Sequence, residues 1–183
     1  MFTTTLAYPN GDSYTGQFST NLAGVPVPHG YGTMTRVNGE THTGYYYEGR
    51  RHGQGQSYST ITQRHYNGGY VNDQEEGFAT ITRPGTYGGQ RQYSGQVANN
   101  MRHGRGMQVE TSTSGSIITF DGQWVNDQLV GQGSFKVTES GCTHTYEGTF
   151  VAGKLEGWGT YYNSWGVRYR AFFQAGSVIQ WSV

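Results

Sequence analysis

The amino-acid sequence predicts an all-β protein, an elongated and twisted single-layer antiparallel sheet built of about seven consecutive β-hairpins. The first observation is a recurring pattern: an aromatic residue, any residue, glycine, any residue and a second aromatic residue, then a polar turn and Gly-x-Gly. The second is composition, because glycine makes up 30 of 183 residues and the hydrophobic fraction is only 33%. The third is that no long glycine-free segment shows helical periodicity.

Six copies of the pattern follow one another along the chain. They begin at Tyr14, His42, Tyr66, Tyr93, Phe120 and Tyr146. A degenerate seventh copy begins at Tyr169 and lacks both the central glycine and the closing Gly-x-Gly. Successive starting positions lie 28, 24, 27, 27, 26 and 23 residues apart, a spacing typical of repeat arrays. Residues 1–183 are therefore predicted to form one array, with residues 169–183 as its C-terminal cap.

Side-chain alternation predicts what each copy looks like. In a strand, every second residue shares a face, so Phe120, Gly122 and Trp124 lie together and the glycine leaves a notch between two rings. The two glycines of each Gly-x-Gly, such as Gly104 and Gly106, should likewise share a face of the returning strand. Interior glycine marks a place of close approach, and we expect an aromatic ring of the neighbouring hairpin to cover it.

The segments between strands carry turn signals. Residues 71–74 and 125–128 have the same sequence, Val-Asn-Asp-Gln, whose Asn and Asp tolerate turn geometry. Asn38-Gly39 is a two-residue hairpin signal between the first and second copies. With two strands per copy and about 4.8 Å between strands, the array should be roughly 65 Å long.

With these residues in place, the chain resembles the membrane occupation and recognition nexus (MORN) repeat family. The motif is Tyr-x-Gly-x-Trp/Phe followed by His/Glu-Gly-x-Gly, and it recurs over about residues 8 to 176. Departures occur at His42, Val97 and Val130, and the first copy carries about five extra residues. The resemblance implies a binding or scaffolding role, with self-association as a recurring theme and enzymes such as lipid kinases and lysine methyltransferases as companions of similar arrays.

Residues with catalytic or metal-binding chemistry do not form a recognisable site in the sequence. It contains no nucleophile elbow, no phosphate-binding loop and no His-Glu-x-x-His pair. His29, His52 and His103 share one repeat position and would lie roughly 10 to 30 Å apart, too far to share a metal. Cys142 and His144 have no further ligands nearby. The prediction is a protein that is not an enzyme and has no catalytic residues, cofactor or metal.

The notched face is the first candidate binding surface, a groove for a peptide or an amphipathic helix. A single-layer sheet has no second layer to cover this face, and contiguous exposed aromatic surface marks interaction sites. The groove residues are Tyr46, Tyr66, Tyr70, Tyr93, Phe120, Trp124, Tyr146 and Phe150. The structural alternative is that these rings only fill the glycine notches and hold neighbouring hairpins together.

The C-terminal end is the second candidate surface. Three of the four tryptophans lie in the last 26 residues, where the repeat degrades. A terminal strand must be capped or joined to another chain, so this end is either an intramolecular cap or the interface of a homodimer. The candidate self-association residues are Trp158, Tyr161, Trp165, Phe173, Ile179 and Trp181.

Charge argues against lipid and nucleic acid as principal partners. Twelve basic and twelve acidic residues cancel. The densest basic positions are two arginine pairs, Arg50 with Arg51 and Arg102 with Arg105, whereas stable attachment to a lipid surface needs about four to eight clustered cations. Direct membrane binding is therefore expected to be weak or absent, and the same neutrality disfavours nucleic acid.

These observations predict a non-catalytic scaffold or adaptor that binds a protein partner along its aromatic groove. The alternatives are a phospholipid-binding module and an accessory subunit of an enzyme. A single cysteine, Cys142, no glycosylation sequon and no signal-peptide pattern lead us to expect a cytoplasmic protein, associated with the cytoskeleton or a membrane only through a partner.

Overall fold

The computed structural model describes residues 3–182 and contains strands but no helix within that range. Fifteen antiparallel strands follow one another in chain order in one open sheet, which confirms the predicted fold class. Their bounds are β1 Thr3–Ala7, β2 Ser13–Thr20, β3 Pro26–Thr35, β4 Thr41–Tyr47, β5 Arg50–Ser59, β6 Arg64–Val71, β7 Gln74–Pro84, β8 Gly88–Ala98, β9 Met101–Ser112, β10 Ile117–Val125, β11 Gln128–Glu139, β12 Cys142–Val151, β13 Lys154–Tyr162, β14 Arg168–Gln174 and β15 Ser177–Ser182.

The chain divides into two compact units. The first unit comprises the residues up to Arg83 together with Val97–Asn100, and the second comprises Pro84–Gln96 and the residues from Met101 onward. The predicted hairpins are the strand pairs that start at β2 and end with β14–β15, and β1 is an additional strand that pairs with β2. Each hairpin consists of an aromatic strand and a returning strand.

The glycines of successive strands lie opposite one another and form a glycine row in each unit. In the first unit the row is Gly16, Gly32, Gly44, Gly55 and Gly68. In the second unit it is Gly106, Gly122, Gly133 and Gly148. Because no side chain stands on this row, the neighbouring side chains of the same face can lie flat across it.

The two glycines of each Gly-x-Gly have different roles. Gly131 has a φ of +68° and lies where the register between β10 and β11 shifts, whereas Gly133 pairs with Gly122 in the glycine row. A positive φ favours glycine because it has no Cβ. The first glycine therefore forms a bulge, and the second provides room for a side chain.

The predicted polar turns are tight two-residue turns. Asn72 and Asp73 both have positive φ, as do Asn126 and Asp127. This conformation matches the twist of a two-residue hairpin, and Asn and Asp adopt it more readily than most residues. The repeated Val-Asn-Asp-Gln sequence is thus explained by backbone geometry.

Candidate functional site

Three tyrosines, each the first aromatic residue of its motif copy, fill the glycine notches of their own repeats. The hydroxyls of Tyr14, Tyr66 and Tyr93 donate to the main-chain carbonyls three residues further on, at 2.6, 2.7 and 2.7 Å. At Gly106, a Cβ would lie only 2.2 Å from the Tyr93 hydroxyl, so the ring fills the space that the glycine leaves. Burial raises the pKa of Tyr14 and of Tyr93 to about 12, which keeps both hydroxyls as donors.

The expectation that the predicted groove is uncovered is wrong for six of its eight rings. Their side chains are at most 5% exposed. The tyrosines and Trp124 pack on neighbouring rings of their own unit, and Phe150 packs over Gly133. These buried rings are Tyr46, Tyr66, Tyr70, Tyr93, Trp124 and Phe150. Phe120 and Tyr146 remain half-buried, and for these two a role in binding stays a prediction.

Phe120 and Tyr146 are accessible because leucines occupy the notches that tyrosines close elsewhere. A Cβ at Gly122 would lie 3.0 Å from the Cδ1 of Leu129, and one at Gly148 would lie 3.4 Å from the Cδ2 of Leu155. Leu129 is 2% exposed and Leu155 is 6% exposed. The first aromatic side chains of these two repeats, Phe120 and Tyr146, therefore lie beside the notch instead of inside it.

The sequence signal for this difference stands at the start of the returning strand. Tyr46 and Tyr70 are paired with Arg51 and Glu75, whose charged groups leave the notch to a ring. Trp124 and Phe150 are paired with Leu129 and Leu155, which fill the notch themselves. The aromatic motif alone did not show which rings stay accessible, but the change from a charged residue to leucine at this position could have shown it.

In the last two full repeats, the second glycine of the Gly-x-Gly pair is covered by an aromatic ring of the next hairpin. Atoms of the Phe150 ring lie 3.3 Å from the position of a Cβ at Gly133, and those of Phe173 lie 3.2 Å from one at Gly159. The expectation of cover by a neighbouring hairpin is therefore correct here. It is wrong at Gly106, where Tyr93 of the same repeat provides the cover.

The displaced rings join others in a continuous aromatic stripe on the second unit. The stripe consists of Phe120, Phe135, Tyr146, Tyr161, Tyr169 and Trp181, one ring from each of the strands β10 to β15. Successive ring centroids are 5.0, 5.8, 5.0, 5.9 and 6.1 Å apart. The first four rings are half-buried, and exposure rises to 41% at Tyr169 and 52% at Trp181. The structure thus brings two predicted groove residues together with two predicted self-association residues.

A second row of side chains fixes the stripe along one side. Ile118, Val137 and His144 lie opposite one another on adjacent strands. The His144 Nδ1 is 2.6 Å from the Tyr161 hydroxyl, and the two rings stack at an interplanar angle of 12°. This contact orients Tyr161 near the middle of the stripe.

A polar cluster bounds the start of the stripe. Arg102 binds Asp127 at 2.8 Å, lies 4.3 Å above the Trp124 ring and donates to Gln108, which stands opposite Phe120. A depression of about 510 Å³ joins this cluster to Phe120 and Phe135. The apolar stripe therefore begins at a site that offers charged and amide groups.

Glu110 in the same depression is held as a carboxylate. Its side chain is 6% exposed and forms an ion pair of 2.8 Å with Arg91. Burial raises the pKa of Glu110, but hydrogen bonds from Thr86 and Arg91 outweigh burial and hold this pKa below its usual value. The cluster consequently adds no unpaired buried charge.

The predicted self-association residues do not form one surface. Phe173 is 2% exposed over Gly159, whereas Trp158 packs against Phe172 and Arg170 on the other side of the sheet. Trp165 is exposed in the turn between β13 and β14. Tyr161 and Trp181 belong to the stripe, and Ile179 is exposed on β15. Self-association through this end stays a prediction for the exposed members of the set. The inclusion of Phe173 was wrong, because this side chain is buried.

Two of the four arginines considered for lipid binding are already paired. Arg51 contacts Asp73 at 3.2 Å and Arg102 contacts Asp127 at 2.8 Å, and both guanidinium groups also donate to the main-chain carbonyl of that aspartate. Arg50 and Arg105 are exposed. Weak attraction to lipid head groups stays a prediction.

Among residues 3–182, no group of three or more His, Cys, Asp or Glu side chains could hold a metal ion. The same range has no helix of the length and apolarity needed to cross a membrane.

Comparison with known protein families gives one match. The family model described as MORN repeat matches residues 27–41, 42–60, 66–85, 93–109, 120–136 and 146–168. These segments together cover more than half of the chain. Five of them begin at the first residue of a copy read from the sequence, and the segment 27–41 covers the later part of the copy that begins at Tyr14. No curated protein sequence is significantly similar to the chain.

Proposed function

We propose that this chain, which belongs to the MORN-repeat family, is a non-catalytic adaptor that holds a protein partner against the aromatic stripe of its second unit. MORN repeats are generally protein- or membrane-binding modules. The observation that carries the proposal is the displacement of Phe120 and Tyr146 from notches that Leu129 and Leu155 fill. Tyr66 and Tyr93, which lie over the glycines of their own repeats, are buried.

The chemistry of the stripe favours a protein segment over a lipid surface. Its rings offer broad apolar area that loses little conformational entropy on binding, and three of them carry tyrosine hydroxyls that can bond a peptide. The chain has no net charge, and its second unit pairs Arg91 and Arg102 with acidic residues. Electrostatic attraction to an anionic membrane is correspondingly small.

The spacing of the rings favours a helical partner. Successive centroids lie 5.0 to 6.1 Å apart and advance by about 4.8 Å per strand along the stripe, and both distances are close to the pitch of an α-helix, about 5.4 Å per turn. In an extended peptide, side chains on one face recur at about 6.6 Å and would lose register along the stripe. An amphipathic helix of about 16 residues would span the stripe, which is about 25 Å long at the usual spacing of strands.

The test is selection of ligands from a displayed library of about 16-residue peptides, followed by affinity measurements on two matched double variants. Tyr161→Ser with Tyr169→Ser removes two rings of the stripe. We expect the dissociation constant of a selected peptide to rise at least about tenfold, because truncating an aromatic anchor at an interface typically costs about 2 kcal/mol.

The control is Tyr31→Ser with Tyr45→Ser. These two tyrosines also face each other across strands, 5.3 Å apart, and are 51% and 53% exposed, but they belong to the first unit and lie on the face away from the notches. Affinity should stay within about twofold of the wild type, and circular dichroism should show an intact sheet in both variants. Equal affinity of wild type and the Tyr161/Tyr169 variant would reject the stripe as the binding surface.

A further inference from the structure

The second repeat closes its notch with a histidine where the repeats on either side use tyrosine. His42 is 5% exposed and lies over the glycine row, where a Cβ at Gly55 would be 2.5 Å from its Cε1. The ring makes edge contacts with Tyr46 at 5.2 Å and with Tyr70 at 4.7 Å. His42 is therefore a packed member of the core of the first unit.

The imidazole has no hydrogen-bond partner within residues 3–182. Both of its ring nitrogens are buried and neither is bonded. In the next repeat, by contrast, the Tyr66 hydroxyl reaches the carbonyl of Gly69 at 2.7 Å. The equivalent carbonyl in the second repeat belongs to Tyr45, and the shorter histidine makes no bond to it. Van der Waals contact alone holds this ring, and only as long as it is neutral.

Charged groups surround His42, and the four that form ion pairs do so with one another. Arg51 is bound to Asp73 at 3.2 Å, and both nitrogens of the Arg64 fork bind the Glu75 carboxylate at 2.6 Å. The groups that face His42 or line the cavity beside it are Arg36 in the turn after β3, Glu40 just before β4, Tyr46 on β4, Arg51, Ser57 and Tyr58 on β5, Arg64 and Tyr70 on β6, Asp73 in the following turn and Glu75 on β7. Glu40 accepts a hydrogen bond from the Ser59 hydroxyl. None of the paired carboxylates is free to accept a proton from an imidazolium.

Burial, and secondarily the positive charge of Arg51, lowers the pKa of His42 to about 4, while Asp73 raises it only in part. The ordinary histidine pKa is about 6.5. A conformation that exposes the ring therefore binds more protons between about pH 4 and pH 6.5 than the closed one does. The closed form is fully stable above about pH 6.5 and loses stability as the pH falls through this window.

We propose that His42 is an acid-sensitive latch: protonation drives its ring out of the notch and opens β4 and β5 while the repeats closed by tyrosine stay shut. Opening separates the ring from Tyr46 and Tyr70, which are 5% and 2% exposed in the closed form. It also opens the adjoining cavity of about 370 Å³. The first unit would thus expose aromatic surface in acid that it buries at neutral pH.

Amide hydrogen exchange of the full chain at pH 7.5 and pH 5.0, corrected for intrinsic exchange rates, tests this latch. The two pKa values predict that the opening constant of β4–β5 amides rises about 25-fold at the lower pH. Amides of β8–β9, closed by Tyr93, should change by less than about threefold, because neither strand pairs with β4 or β5. His42→Tyr should abolish the difference, since its hydroxyl can bond the Tyr45 carbonyl, and His42→Phe fills the notch without a titrating group.

The proposal fails if β4–β5 opens equally at both pH values in the wild type, or if His42→Tyr and His42→Phe retain the 25-fold response. A nuclear magnetic resonance titration gives an independent check on the wild type. A His42 ring that titrates near pH 6.5 in the folded protein would also overturn the proposal.

Discussion

Replacing Gly106 with alanine is expected to lower the free energy of unfolding by about 3 kcal/mol. The added Cβ would lie 2.2 Å from the Tyr93 hydroxyl and 2.5 Å from its ring carbons, so the ring must leave the notch. Displacing it also breaks the 2.7 Å bond to the Gln96 carbonyl. Urea unfolding followed by circular dichroism measures the loss.

Gly131→Ala is the matched control, because Gly131 has a φ of +68° but nothing within 4 Å of an added Cβ. It should cost only the strain of the left-handed backbone, about 1 kcal/mol. In the Gly106→Ala and Tyr93→Ala double variant, the glycine change should add less than about 1 kcal/mol to the loss caused by Tyr93→Ala. Additive losses in that double variant would show that Tyr93 does not cover Gly106.

Replacing Leu129 with alanine is expected to cost about 3 kcal/mol of unfolding free energy. Leu129 is 2% exposed and fills the notch at Gly122, so truncation removes buried apolar surface and leaves a cavity. The vacated notch is the space that tyrosine rings occupy in other repeats, so Phe120 gains room to move into it. We therefore also expect weaker binding of peptides selected on the wild type.

Leu22→Ala serves as the control for this change, because Leu22 is fully exposed and should alter stability by less than about 0.5 kcal/mol. Unfolding in urea compares the two variants directly. If Leu129→Ala is no more destabilising than Leu22→Ala, leucine does not fill the notch, and the explanation for the displaced rings is wrong.

Most of the fold could be predicted from the sequence because the same strand, turn and strand pattern recurs in six copies. The pattern from Tyr66 to Tyr70 and the turn at Asn72-Asp73 predict strand, turn and returning strand, and the structure has all three. The additional strand β1 was missed, since Thr3–Ala7 carries no copy of the motif.

The binding surface was harder to predict because ring accessibility depends on cross-strand partners. Tyr66 and Tyr146 have the same motif around them, yet one is 1% exposed and the other half-buried. What differs is the second residue of the returning strand, Glu75 in one case and Leu155 in the other. The motif determines which position carries an aromatic ring. Whether that ring is buried over the glycine or stays accessible depends on whether a leucine of the returning strand already fills the notch.

The position of a bound peptide tests the central claim most directly. Photo-cross-linking with p-benzoylphenylalanine, placed in separate variants at Tyr169 in the stripe and at Tyr45 on the face away from the first unit's notches, reports that position for a library-selected peptide. The stripe predicts an adduct from position 169 and none from position 45. An adduct from position 45 with none from position 169 would contradict the account and place recognition on the first unit.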